Sequence, residues 1–171
     1  MSNVLLSVSG GHVILPSKVL CHRADGGHLI VNPPRDVWER NCLSQDELKE
    51  WALLVAATGR AMIETLPMLS NGCLNYWEAG NWSLNEERFP PGPKIVQQHR
   101  RVHMHIFGRS RSASDPDWKW GEAPRFPEYS ESDEWVQRFD PLAPDECNNV
   151  VDRIKMILSS DARLPPFPAS T

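Results

Sequence analysis

The sequence contains no apolar run long enough to cross a membrane as a helix. Its first residues, Met1 to Val8, place no basic stretch ahead of a long apolar segment, so no secretory signal is expected. The four cysteines, Cys21, Cys42, Cys73 and Cys147, form no Cys-x-x-Cys pair, which argues against zinc ribbons and thioredoxin-type redox motifs. Reduced thiols in a cytoplasmic protein are the expectation. No internal repeat or shift in composition marks a second domain, so residues 1–171 are expected to form one domain. A net charge of −4 gives no general attraction to nucleic acid.

The most informative absence is local. From Phe89 to Ser114 there is no aspartate or glutamate. The same window holds Lys94, Arg100, Arg101, Arg109 and Arg111, together with three of the six histidines. An acidic protein with one basic patch suits a small phosphorylated ligand, and Arg109 and Arg111 are candidates to attract a polyphosphate. Within the patch the chain reads Arg101-Val-His103-Met-His105-Ile-Phe-Gly-Arg109. Side chains alternate between the two faces of a strand. Arg101, His103 and His105 are therefore expected on one face, with His99 extending it if the strand begins early. Val102, Met104 and Ile106 are expected on the core side.

The remaining elements follow from periodicity and turn chemistry. Val4–Val8 reads as a strand broken by Gly10-Gly11. Lys18–Arg23 and His28–Asn32 read as strands joined at Asp25-Gly26-Gly27 into an antiparallel hairpin. Ser44-Gln45-Asp46-Glu47 is a capping box. It opens a long helix with Leu48, Trp51, Val55, Met62 and Leu66 at helical spacing, which Pro67 ends. Cys73–Trp77 is a strand, and 78–96 is a functional or mobile loop. A short helix near Asp133–Phe139 and a longer one over Asp145–Leu158 complete the pattern, and 159–171 forms an extended tail. Cys21 and Cys73 are expected as buried small groups in strands. Trp77, Trp82, Trp118 and Trp120 flank the basic patch and offer rings for stacking or packing. Asn81 is a further pocket candidate, and His12 is a surface or packing residue.

Two histidines side by side on a strand can attack a phosphorus atom and hold the charge that develops on its oxygens. An arginine fork two residues earlier can clamp those oxygens. The competing chemistry is a zinc or iron site on His99, His103 and His105. Fixed arginine charges beside the site argue against it. A polar strand face with no site is the third reading.

Arg101 to Phe107 resembles the His-apolar-His-apolar-His-apolar-apolar signature of the histidine triad (HIT) family of nucleotide hydrolases and transferases, with arginine at the first triad position. Gly27-His28-Leu29-Ile30-Val31-Asn32-Pro33-Pro34 to Val37 is similar to that family's histidine-bearing strand ahead of a proline turn and the long helix. The resemblance spans roughly Lys18 to Arg109. It implies an α+β fold, with an antiparallel sheet of about five strands against one long helix and a C-terminal helix. It implies a phosphohydrolase or nucleotidyltransferase acting at an α-phosphate through a nucleotidyl-histidine. Diadenosine tetraphosphate and other dinucleoside polyphosphates, or nucleoside phosphoramidate and adenylate conjugates, are the implied substrates.

Carried onto this sequence, the resemblance makes His103 the nucleophile and His105 its charge-holding neighbour. His28 lines the site, and His22 contacts the nucleotide sugar. Asn75 binds phosphate or orients the nucleophile, and Gln98 lies near the leaving group. Arg101 cannot carry a proton. It is left to clamp phosphate, while His99 and His28 are candidates for proton handling. No metal or other cofactor is implied, nor any stable nucleic-acid or membrane partner. A homodimer is expected by analogy only. The alternative functions are a nucleotide-binding module with reduced or lost catalysis, and the His-ligated metalloprotein.

Overall fold

A computed structural model describes residues 3–159 of the chain. Five strands, β1 (Asn3–Val8), β2 (Gly11–Leu15), β3 (His28–Asn32), β4 (Cys73–Ala79) and β5 (His103–Arg109), make one antiparallel sheet. Their order is β1-β2-β3-β5-β4. The fold is α+β: helix α1 (Gln45–Thr65) and the C-terminal helix α4 (Pro144–Ser159) pack together on one face of the sheet. Two short helices, α2 (Val96–His99) and α3 (Ser132–Val136), lie in the connections. Among the described residues no helix is long and apolar enough to cross a membrane. The expected tail lies almost entirely outside the described residues.

The expected hairpin is corrected. Lys18–Arg23 is not a strand: it is irregular and runs into a 3₁₀ turn over Arg23–Asp25. Val19, Leu20 and Cys21 are all buried in succession, without the alternation of a half-covered strand. The Leu20 N–H serves a side chain, Nδ1 of His28, at 3.3 Å. The neighbour of β3 is instead β2, with His12 opposite Asn32 and Val13 opposite Val31. Gly10-Gly11 breaks no sheet. It belongs to a tight β1–β2 turn in which Val8 faces Gly11. Gly11 has φ of 128°, and a side chain there would strike the Asn32 carbonyl.

α1 begins as its sequence dictates. The Ser44 hydroxyl accepts the Glu47 N–H at 3.2 Å, and the Glu47 carboxylate accepts the Ser44 N–H at 2.7 Å. Arg35 reaches the same carboxylate at 2.8 Å and holds its pKa down to about 2. The buried face of the helix is Trp51, Leu54, Ala57, Ala61 and Met62, whereas Leu48 stays exposed. The Trp51 indole donates to the Val31 carbonyl at 3.2 Å, tying α1 to β3. Leu66 caps the helix ahead of Pro67. From α4, Val150, Ile154 and Ile157 join this core, and Arg153 pairs with Glu64 of α1.

Register divides the sheet into two faces. Leu29 and Val31 of β3 lie beside Ile106 and Met104 of β5, facing the helices. His28 lies opposite Phe107, while Trp77 of β4 lies opposite His105 and Asn75 opposite Phe107. These residues share the other face. Residues 110–140 cover the far end of that face through a second cluster of Leu20, Cys21, Phe107 and Trp118. The Trp118 indole donates to the Gly108 carbonyl at 2.9 Å. Cys21 is buried there, but in a connection rather than a strand, and burial pushes its thiol pKa up. Cys73 is in a strand but exposed, and all four thiols are free.

Candidate functional site

β5 begins at His103, not at Arg101. The Val102 N–H is drawn sideways to the Val37 carbonyl at 2.9 Å, and the chain before it turns into α2. Strict alternation therefore holds only from His103 onward. Arg101 reaches the site from the strand entry, and His99 from the end of α2.

The three histidines on this face are hydrogen-bonded in series. His28 Nε2 lies 2.8 Å from His105 Nδ1, and His105 Nε2 lies 2.9 Å from His103 Nε2. Both ends terminate on backbone groups of fixed polarity. At one end the Leu20 N–H donates to His28 Nδ1; at the other the Arg101 carbonyl lies 2.9 Å from His103 Nδ1. A neutral imidazole has one donor and one acceptor. The Leu20 donor puts the His28 proton on Nε2, which donates to His105 Nδ1. The His105 proton is then on Nε2 and donates to His103 Nε2. The His103 proton is on Nδ1 and donates to the Arg101 carbonyl. Each tautomer follows from the one before it.

The pKa directions agree with three neutral rings. Burial drives His28 well below the usual histidine value, with His105 and His103 adding repulsion. Burial likewise pushes His105 down to about 3. His103 is lowered chiefly by burial and further by the charge of Arg100, against the raising effect of the Arg101 carbonyl. Aromatic rings enclose the series. Trp77 stacks on His105 with ring centres 5.4 Å apart, and Phe107 stacks on His28 at 4.3 Å.

His103 and His105 open onto a cavity of about 400 Å³. Its volume lies in the range of small-molecule sites. Arg101, His99, Trp77 and Trp82 line it, as do three residues of more modest sequence signal, Glu78, Asn81 and Arg88. Glu78 Oε2 is buried and 2.9 Å from Arg40 Nε, but it accepts no aligned hydrogen bond. In the sequence Glu78 is only the start of a loop; its position comes from β4 running on to Ala79.

The other candidates fall elsewhere. His28 supports the site from behind His105, at 1% exposure. His22 caps the 3₁₀ turn at Arg23–Asp25, accepting the Ala24 N–H, and does not line the cavity. Asn75 shares the sheet face but sits beside Phe107, away from the cavity lining. Gln98 is exposed on α2 and also outside that lining. Arg109 is buried: it donates to the Lys119 and Glu122 carbonyls at 2.7 and 2.9 Å and lies over the Trp118 ring. It fastens the covering segment instead of facing a ligand. Arg111 donates to the Asn71 carbonyl and lies over Trp120. His99 Nδ1 is engaged with the Ile95 carbonyl at 2.9 Å. Among the described residues no three His, Cys, Asp or Glu side chains are grouped to hold a metal ion. His99, His103 and His105 form no such group. His12 bonds Ser7 at 2.9 Å, a packing role.

No protein-family model and no curated protein matches the chain.

Proposed function

We propose that the protein is a HIT-like phosphohydrolase or nucleotidyltransferase that cleaves a nucleotide conjugate at its α-phosphate. The observation that carries this reading is the ordered relay of neutral rings, which leaves His103 Nε2 unprotonated, accepting from His105, on a ring that lines the cavity. A neutral imidazole nitrogen whose opposite nitrogen is anchored is what attack on phosphorus requires.

In the first step the His103 Nε2 lone pair forms a bond to the α-phosphorus, and the bond from phosphorus to the leaving group breaks. The leaving group departs with that electron pair. The imidazole gains positive charge, which the Arg101 carbonyl at Nδ1 stabilises. The His105 Nε2–H, which donates to His103 Nε2 in the free protein, transfers its hydrogen bond to a phosphate oxygen. Water then attacks phosphorus, the nitrogen–phosphorus bond breaks with its electron pair returning to Nε2, so that His103 is neutral again, and the proton lost by the water passes to solvent.

The arginine at the first triad position fits this scheme. Residue 101 serves the nucleophile through its backbone carbonyl, which any side chain leaves in place. Its guanidinium donates to the Gln97 and Arg100 carbonyls and lines the cavity, where it can also meet phosphate oxygens. A reducing, cytoplasmic setting accompanies the reading, in keeping with four free thiols.

A turnover screen of diadenosine polyphosphates and adenosine phosphoramidates, read by mass spectrometry, tests the reading. Release of nucleoside monophosphate by the wild type is expected. His103→Ala is expected to abolish it while keeping the melting temperature, because that ring faces the cavity. Undiminished release by His103→Ala would overturn the mechanism. Tight nucleotide binding without product would favour the binding module.

A further inference from the structure

One amide on the cavity wall has its direction set by a neighbour that can only donate. The Arg100 side chain is 12% exposed and joins three segments. Its Nη1 donates to the Trp38 carbonyl and, at 3.0 Å, to the Glu39 carboxylate. Its Nε donates to Asn81 Oδ1 at 3.1 Å. A guanidinium has donors and no acceptor. The end of the Asn81 amide that meets it must therefore be the oxygen; the reverse orientation would oppose two donors. The Asn81 NH2 group is left as the free end, and among the described residues it donates to no protein group. Asn81 lines the same cavity as His103 and His105. Its position is tightly defined by Gly80, which has φ of 145° and sits where a side chain would strike the Arg101 carbonyl.

We propose that Asn81 is a substrate-contacting residue whose NH2 donates to an anionic oxygen of a bound phosphate ester, with Arg100 as the positioning residue that aims it. This rests on the nucleotide reading above and adds a contact to it. Two N–H donors at a cavity wall complement phosphate oxygens and do not suit a cationic or donor-only ligand. The opposite end of the amide is spoken for by Arg100, so no rotation can offer the ligand an acceptor without breaking that bond.

Asn81→Asp separates this role from simple anchoring of Arg100. It strengthens the contact to the guanidinium but turns a carboxylate oxygen toward the ligand in place of the donor. Titration calorimetry of the full chain with AMP is the measurement. Asn81→Ala is expected to weaken binding about tenfold, and Asn81→Asp about a hundredfold, by loss of a hydrogen bond to a charged group and by added repulsion. The melting temperature of Asn81→Asp is expected to equal or exceed that of wild type. Asn81→Asp that binds AMP as tightly as wild type would overturn the contact. Arg100→Gln is expected to weaken AMP binding in the wild-type background and to add little to Asn81→Ala. Equal losses in both backgrounds would overturn the positioning role. A wild-type chain that binds no AMP would overturn the nucleotide reading itself, and this assignment would fall with it.

Discussion

His28, His103 and His105 are three basic groups held without charge, so acid acts directly on them. Their pKa values in the fold lie below the ordinary histidine value of 6.5, reaching about 3 for His105. Between those limits the unfolded chain binds more protons than the folded one. Stability therefore rises with pH through this window, is fully present above about 6.5, and is lost as pH falls toward the folded-state values. Urea midpoints measured on either side of pH 6.5 are expected to drop on the acid side before ordinary carboxylates titrate; a flat profile down to pH 5 would contradict the neutral relay. His103 and His105 were legible in the sequence because a period of two is local. The partner that completes the series was legible only as a motif: His28 lies 77 residues before His105. Arg100 was visible only as part of a basic run. Its partners at Trp38, Glu39 and Asn81 lie far off along the chain, where no local pattern points to them.

The strand β5 depends on a close backbone approach next to the site. A Cβ on Gly108 would lie 2.0 Å from the Gly26 carbonyl oxygen, and the Gly108 N–H donates to the Gly27 carbonyl at 3.0 Å. Backbone on both sides cannot step aside as a side-chain end could. Gly108→Ala is expected to cost about 2–3 kcal/mol of stability by overpacking, checked by chemical denaturation; a variant as stable as wild type would mean that the turn at Gly26 is free to move. Elements with their own start and stop signals were the legible ones. α1 has its capping box and its proline, and β3 is a short apolar run bounded by Gly26-Gly27 and Pro33-Pro34. β2 and Lys18–Arg23 exchanged roles, because Gly10-Gly11 reads equally as a break or as a hairpin turn. Burial of Leu20 and Cys21 comes from the covering segment on the second sheet face, which short-range pattern does not reveal.

Across the whole molecule, that covering segment decides how much of the histidine face stays open. Arg109 ties it down by donating to the Lys119 and Glu122 carbonyls, and the Trp118 and Trp135 indoles bond the Gly108 and Leu20 carbonyls. Arg109→Met is expected to speed proteolytic cleavage within residues 110–131 while leaving the α1–α4 core protected; unchanged cleavage there would show that the tryptophans suffice. The α+β architecture was legible through the family resemblance, which implied a sheet of about five antiparallel strands against one long helix and a C-terminal helix. The closure of one end of the sheet face was not, since 110–131 carries no regular periodicity and its anchors are single long-range bonds. What remains open is a cavity lined by His103, the proposed nucleophile. The most direct measurement is acid-free quenching of the protein with an adenylated substrate, followed by peptide mapping of the covalent adduct. A nucleotidyl group on His103, absent from His103→Ala, is the expected result. An adduct confined to another residue, or product release with no nucleotidyl-histidine even under single-turnover quenching, would contradict attack by His103.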